Sequence, residues 1–170
     1  MYDALEEKLE KAAGGEGAPY AFPNLPQGGC TCNLGPKTVT PMHRDSENLS
    51  YGLCVVSAFG DFDWQHGGEL MLFEPKVIVQ MRPGDSLIFP SAAITHGNLP
   101  LSSKPGQTRY SLTHYTAGSL FQWVANDCRL VKNTKRPANA DWKGSWDHYS
   151  TWEELNLKMS ADPNSNHLVS

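Results

Sequence analysis

From Cys30 onward, apolar and polar residues alternate in short runs, the period of two that puts successive side chains on opposite faces of a strand. The alternation predicts strands over 30–34, 38–43, 53–59, 69–73, 76–81, 86–89 and 108–115. Between them lie Gly35-Pro36, the stretch 60–68, Glu74-Pro75, Pro83-Gly84-Asp85 and the tip 104–107, all rich in residues that favour turns. Seven or eight short strands separated in this way predict a mainly β fold, a jelly-roll barrel or double-stranded β-helix with flanking helices. Ahead of the strands, Leu5 and Leu9 stand four apart among Glu and Lys, which predicts an amphipathic helix over 2–13 that Gly14 and Gly15 end. After Phe121 the chain becomes polar and rich in Trp, and helical or irregular segments are expected there, packing Trp142, Trp146 and Trp152 onto the barrel. The organisation expected is one domain over 1–170, with the helix and its connection over 1–29, the barrel over 30–129 and a tail over 130–170.

Composition adjusts this picture only slightly. A chain of 170 residues, 39% hydrophobic and 19% charged, carries enough apolar material for one core. Its N-terminus has no basic start followed by an apolar run, and no stretch approaches the roughly 18 apolar residues of a membrane span, so a soluble, intracellular protein is expected. Cys30, Cys32, Cys54 and Cys128 lack the paired C-x-x-C spacing of a zinc site and read as reduced thiols. A net charge of −4 excludes an all-round basic surface for gripping phosphates. The one local excess of positive charge is 129–143, with Arg129, Lys132, Lys135, Arg136 and Lys143 against Asp141, a pattern that a solvated loop also produces.

The candidate chemistry sits at strand ends. In His43-Arg44-Asp45 the two-residue separation puts the His and Asp side chains on one face of an extended chain, where both can point at one ion. Such pairs are common by chance, and what distinguishes this one is the order of parts that follows it. His96 comes after the predicted strand 86–89 and supplies a third ligand, completing a set of two histidines and one carboxylate. That facial set leaves three adjacent positions open on an octahedral Fe(II), enough for a two-point 2-oxoglutarate chelate and O2. On the last strand, alternation puts Arg109, Ser111, Thr113 and Tyr115 on one face, the barrel interior, with His114 on the other in a structural role. A buried Arg needs a carboxylate partner, and the distal end of 2-oxoglutarate is one, with the Ser111 hydroxyl as a further donor; an internal Asp or Glu is the alternative.

The stretch His43-Arg44-Asp45-Ser46-Glu47-Asn48 with Gly52, and the stretch Arg109-Tyr110-Ser111-Leu112-Thr113-His114-Tyr115, resemble the motifs of the TET/JBP family of nucleic-acid-base dioxygenases, in its compact fungal form. The resemblance covers about 30–129. It implies Fe(II) on His43, Asp45 and His96, 2-oxoglutarate on Arg109 and Ser111, and the flipped base against Asn48 and Tyr115. It further implies oxidation of 5-methylcytosine in DNA to 5-hydroxymethylcytosine and higher forms, a nuclear location and DNA as partner, with a monomer favoured. Six steps of about 3.3 Å separate Arg109 from Tyr115, roughly 20 Å, so one strand can serve co-substrate and base at opposite ends. Two departures stand out: the cysteine-rich zinc-binding region of the animal enzymes is missing, and Ala117 stands where those enzymes carry a base-holding His. Asn48 in a tight turn and an inward Tyr115 also suit purely structural roles. Three other readings stay open: the same chemistry on a protein side chain or small molecule, a catalytically silent ligand-binding barrel, and a cupin-type metal enzyme.

Overall fold

The computed structural model describes residues 27–126 and, outside them, residues 7, 11, 25, 129, 130, 150, 151, 153, 154 and 157. The chain divides into two compact units, Met1–Thr134 and Lys135–Ser170. In the second, Thr151 and Glu154 cap a helical turn reciprocally: the Glu154 N–H donates to Thr151 Oγ1 at 3.2 Å, and the Thr151 N–H donates to Glu154 Oε2 at 2.9 Å. The expected positions of Trp142, Trp146 and Trp152 fall outside the described residues. So does the helix over 2–13, apart from Glu7 and Lys11, which are helical. Among the described residues no helix is long and apolar enough to cross a membrane.

Among the described residues the first unit holds, besides the helical Glu7 and Lys11, the strands β1 (Gly29–Asn33), β2 (Cys54–Asp61), β3 (Leu70–Leu72), β4 (Val77–Val79), β5 (Ser86–Phe89), β6 (His96–Asn98) and β7 (Thr108–Tyr115) and the helix α1 (Gly118–Ala125). They form two antiparallel sheets, a larger one in the order β1-β7-β2-β5 and a smaller one in the order β4-β3-β6. This is the mainly β jelly-roll architecture expected from the alternation. The core is Cys54, Val56 and Ala58 of β2 with Phe62, Leu70, Leu72, Met81 and Phe89. The register pairs Val56 with Thr113, Ala58 with Ser111 and Gly60 with Arg109, so the even positions of β2 share the interior with the odd positions of β7. One half of the interior is therefore hydrocarbon and the other half polar.

Strand ends shift by one or two residues from the expected ones, and two elements differ outright for identifiable reasons. The segment 38–43 does not form a regular strand, because Pro36 and Pro41 cannot donate to a ladder. Instead it crosses between the sheets, bridging β7 at Lys37 and Arg109 and β6 at His43 and His96. Asn98 replaces the missing ladder: its Oδ1 accepts the Thr40 N–H at 2.8 Å, and its Nδ2 donates to the Thr38 carbonyl at 3.1 Å. The second difference is β6 itself, which the sequence pattern hides because His96-Gly97-Asn98 is a poor strand-forming triplet with one glycine. Gly97 is required there: a Cβ would lie 2.8 Å from the Thr40 carbonyl oxygen and 3.0 Å from the Met42 nitrogen. The crossing segment packs directly against it.

Candidate metal centre

His43 and His96 reach each other through the backbone before their side chains do. Each donates its N–H to the other's carbonyl at 2.9 Å, an antiparallel pair that sets the two residues side by side. The imidazole centroids lie 4.4 Å apart. Asp45 is brought up by the donation of its own N–H to the Ser91 carbonyl at 3.2 Å. Its Oδ1 lies 3.2 Å from His43 Nε2 and its Oδ2 lies 3.9 Å from His96 Nε2. One ligand atom from each of the three residues falls within 4.8 Å of the others, a group that could hold a metal ion. Ligands in adjacent positions of an octahedral ion, with bonds near 2.1 Å, stand roughly 3 Å apart, so the spacing fits with little adjustment.

The histidines also present the right nitrogens. His43 Nδ1 lies 2.9 Å from the Pro41 carbonyl and His96 Nδ1 lies 2.9 Å from the Ile94 carbonyl. A carbonyl only accepts, so both Nδ1 atoms carry the proton and both Nε2 lone pairs face the shared centre. The Asn48 Nδ2 group donates to Asp45 Oδ2 and to Ser91 Oγ, each at 3.1 Å, which fixes the carboxylate and leaves Oδ1 toward the centre. His96 is 7% exposed and stands edge-on to Phe89 with ring centroids 4.9 Å apart, whereas His43 is 40% exposed, so the centre opens on the His43 side.

The three residues line a cavity of about 510 Å³ that also receives Arg109, Ser111, Thr113 and Tyr115 from β7 and Asn48 from the turn after Asp45. This lies within the usual range for small-ligand sites. Arg109 is 1% exposed, its Nε has no hydrogen-bond partner, and among the described residues no carboxylate pairs with it. Burial pulls its guanidinium below the ordinary value. Gly68, at φ +80, makes room for it: a Cβ there would stand 3.0 Å from Arg109 Cδ and 3.1 Å from Nε. Ser111 Oγ accepts from Asn33 Nδ2 at 3.0 Å, so its own O–H hydrogen remains available to an acceptor in the cavity. Tyr115 is half-buried, its hydroxyl 3.4 Å from Thr31 Oγ1. His114 lies on the other face of β7, opposite Cys30 of β1 and Val55 of β2.

Several residues that sequence reasoning passed over shape the site. Arg44, between the two ligands, was legible only as an outward residue of an extended chain, and Glu74 only as part of a turn. Both join a side-chain cluster with Thr95, in which Arg44 and Thr95 hold the Glu74 carboxyl down at about 2. Asn33, Ser91 and Asn98 act through hydrogen bonds that no spacing announces. Cys30, Cys32 and Cys54 are free thiols; burial pushes the Cys54 thiol up, with Ser91 opposing and Asp45 adding to the rise. Cys128 lies outside the described residues.

No protein-family model and no curated protein matches the sequence. Solved structures do match by shape. NgTET1 in complex with 5mC DNA aligns at 22% identity and TM-score 0.48, covering 58% of this chain and 37% of that one. A Pseudomonas putida prolyl-4-hydroxylase aligns at 24% identity and TM-score 0.39, covering 52% and 50%. An RmlC-like cupin from Desulfovibrio desulfuricans aligns at 10% identity and TM-score 0.34, covering 51% and 69%. The chain thus spans well under half of the NgTET1 chain and half of the hydroxylase. These likenesses bear on the fold alone.

Proposed function

We propose that this chain is an Fe(II)- and 2-oxoglutarate-dependent dioxygenase that oxidises the methyl group of a nucleic-acid base, 5-methylcytosine in DNA. The observation that carries the chemistry is Arg109: a guanidinium 1% exposed, with an unsatisfied Nε, lining the same cavity as the His43, Asp45 and His96 cluster. A buried cation without a counterion is costly, and a dicarboxylate that bridges it to a metal relieves that cost. His43, Asp45 and His96 would hold the iron, and Arg109 would take the distal carboxylate of 2-oxoglutarate in a bidentate pair, with Ser111 donating its hydroxyl hydrogen to it. Iron with 2-oxoglutarate and O2 supplies the oxidant: one oxygen atom enters the substrate C–H bond as a hydroxyl, and the other leaves in succinate as CO2 is released.

The protein's own part is to place the methyl group at that centre. Tyr115, at the far end of β7 from Arg109, offers a ring face to an unstacked base, whose extrusion costs a few kcal/mol. Asn48 spends Nδ2 on Asp45 and Ser91, and its Oδ1 takes no hydrogen bond among the described residues, so it suits a donor such as the 4-amino group of cytosine. The acidic balance and Glu47 on the cavity wall favour one second reading, hydroxylation of a protein side chain or small molecule.

The test is anaerobic loading with Fe(II) and 2-oxoglutarate, followed by air and a methylcytosine duplex, with succinate and modified nucleosides measured by mass spectrometry. Succinate with hydroxymethylcytosine is the expected result. Succinate without a modified base would keep the dioxygenase and move the substrate to peptides or small molecules. No succinate would overturn the reading and leave a silent binding barrel.

A further inference from the structure

Beside the triad, from Arg44 on the cavity wall, runs a closed ring of hydrogen bonds. Glu74 Oε1 accepts from Arg44 Nη2 and, at 2.7 Å, from the Thr95 hydroxyl. Glu74 Oε2 accepts the Thr95 backbone N–H at 2.7 Å, and Arg44 Nε donates to Thr95 Oγ1 at 2.9 Å. The Thr95 hydroxyl therefore accepts from Arg44 and donates to Glu74, and both carboxylate oxygens are used. Arg44 stands between His43 and Asp45 in the chain, and Thr95 immediately precedes His96. The ring thus joins the two segments that bring ligands to the centre. It is anchored in turn to the β3–β4 connection, where the Phe73 N–H donates to the Thr95 carbonyl at 2.8 Å and the Lys76 N–H closes the turn on the Phe73 carbonyl at 3.1 Å.

Stability is a poor account of this arrangement. Arg44 is 52% and Glu74 37% exposed, and ion pairs so open to water contribute little while ordering two long side chains. Geometry is the better account, because the ring adds a side-chain tie flanking the ligands to the backbone pair of His43 and His96, the Asp45 N–H on the Ser91 carbonyl and the Asn98 bonds to Thr38 and Thr40. Partners outside the ligand set commonly determine how ligands are aimed. We propose that Glu74 is a positioning residue for the metal centre: by tying Arg44 to Thr95 it fixes the separation of His43 and Asp45 from His96. This rests on the reading of the triad as a metal site.

Cobalt(II), titrated anaerobically into metal-free protein and followed by its visible absorption, tests both statements separately. Saturable binding by the wild-type chain, lost in Asp45→Ala, establishes the metal site; its absence would sink the reading of the triad whatever Glu74 does. Given that binding, Glu74→Gln is expected to weaken cobalt(II) about tenfold and alter the absorption band. The unfolding temperature of the metal-free protein should move by only a few degrees. Arg44→Lys keeps the charge and loses the fork that reaches both partners, so it should weaken cobalt(II) as well, and the double variant should add nothing to either single loss. Thr95→Val, close to isosteric, carries the same expectation should Glu74→Gln fail to fold. Wild-type cobalt(II) affinity in Glu74→Gln or Thr95→Val, or additive losses in the double variant, would overturn the proposal.

Discussion

Arg109 illustrates how a single residue can oppose the fold it sits in. Its guanidinium is taken out of water without a counterion among the described residues, and an unsatisfied buried polar group costs about 1–3 kcal/mol. Arg109→Met fills much of the same volume without that penalty. The variant is expected to unfold at roughly 1–3 kcal/mol higher free energy than the wild type in urea, measured without 2-oxoglutarate. It should also lose saturable 2-oxoglutarate binding in calorimetry. A variant less stable than the wild type would mean that the guanidinium already has a partner that satisfies it. Alternation put Arg109 inside, since β7 runs uninterrupted from Thr108 to Tyr115. The same logic put His114 on the opposite face, where it is buried as well. What one residue's position could not disclose was the use of Asn48: an Asn three residues after Asp45 reads equally as a turn former and a ligand contact, and only coordinates show its Nδ2 on Asp45 Oδ2.

Strands with an alternating sequence were legible, the short β3 and β4 included, and β6 was not. β5 and β7 coincide with the alternating runs: β5 sets Leu87 and Phe89 against the core, and β7 alternates without a break, with Tyr115 at its end packed on the core. β6 escaped because its pairing is imposed by β3 and by the crossing segment, tertiary partners that local propensity does not encode. The connections carry acid sensitivity that is likewise invisible in the sequence. Lys104 and then His66 hold the Asp63 carboxyl at about 2, as Arg44 and then Thr95 hold that of Glu74. Both carboxyls are lowered by folding, so their stabilising contributions are complete above an ordinary carboxylate value near 4 and are lost as the pH falls toward 2. Urea midpoints of the wild type should therefore fall between pH 5 and pH 2.5, and fall less in an Asp63→Asn, Glu74→Gln double variant. Because both ion pairs reach solvent, added salt should shrink the difference. An identical fall in both proteins would place the acid sensitivity elsewhere.

At the scale of the whole molecule, the interior is divided between a hydrocarbon half, built on β2 and β3, and a polar half facing the cavity, built on β7 and the segment that crosses from β7 to β6. The polar half contributes little to the core and is held together largely by hydrogen bonds such as those of Asn98 and by the pairing of His43 with His96. An ion on His43, Asp45 and His96 would join the crossing segment to β6 with bonds far stronger than these, and would exist only in the folded chain. Stabilisation then follows mass action, reaching about 4 kcal/mol when free metal exceeds its dissociation constant a thousandfold. For a domain of this size that is a rise of roughly 8–16 °C in unfolding temperature. The rise should appear with divalent iron, kept reduced, or with cobalt, and disappear in His43→Ala and His96→Ala alike. Addition of 2-oxoglutarate should raise it further only when metal and Arg109 are both present, since the co-substrate is expected to span them. A further rise in Arg109→Met, or one in the absence of metal, would mean that 2-oxoglutarate binds elsewhere and that the two ends of the cavity work independently.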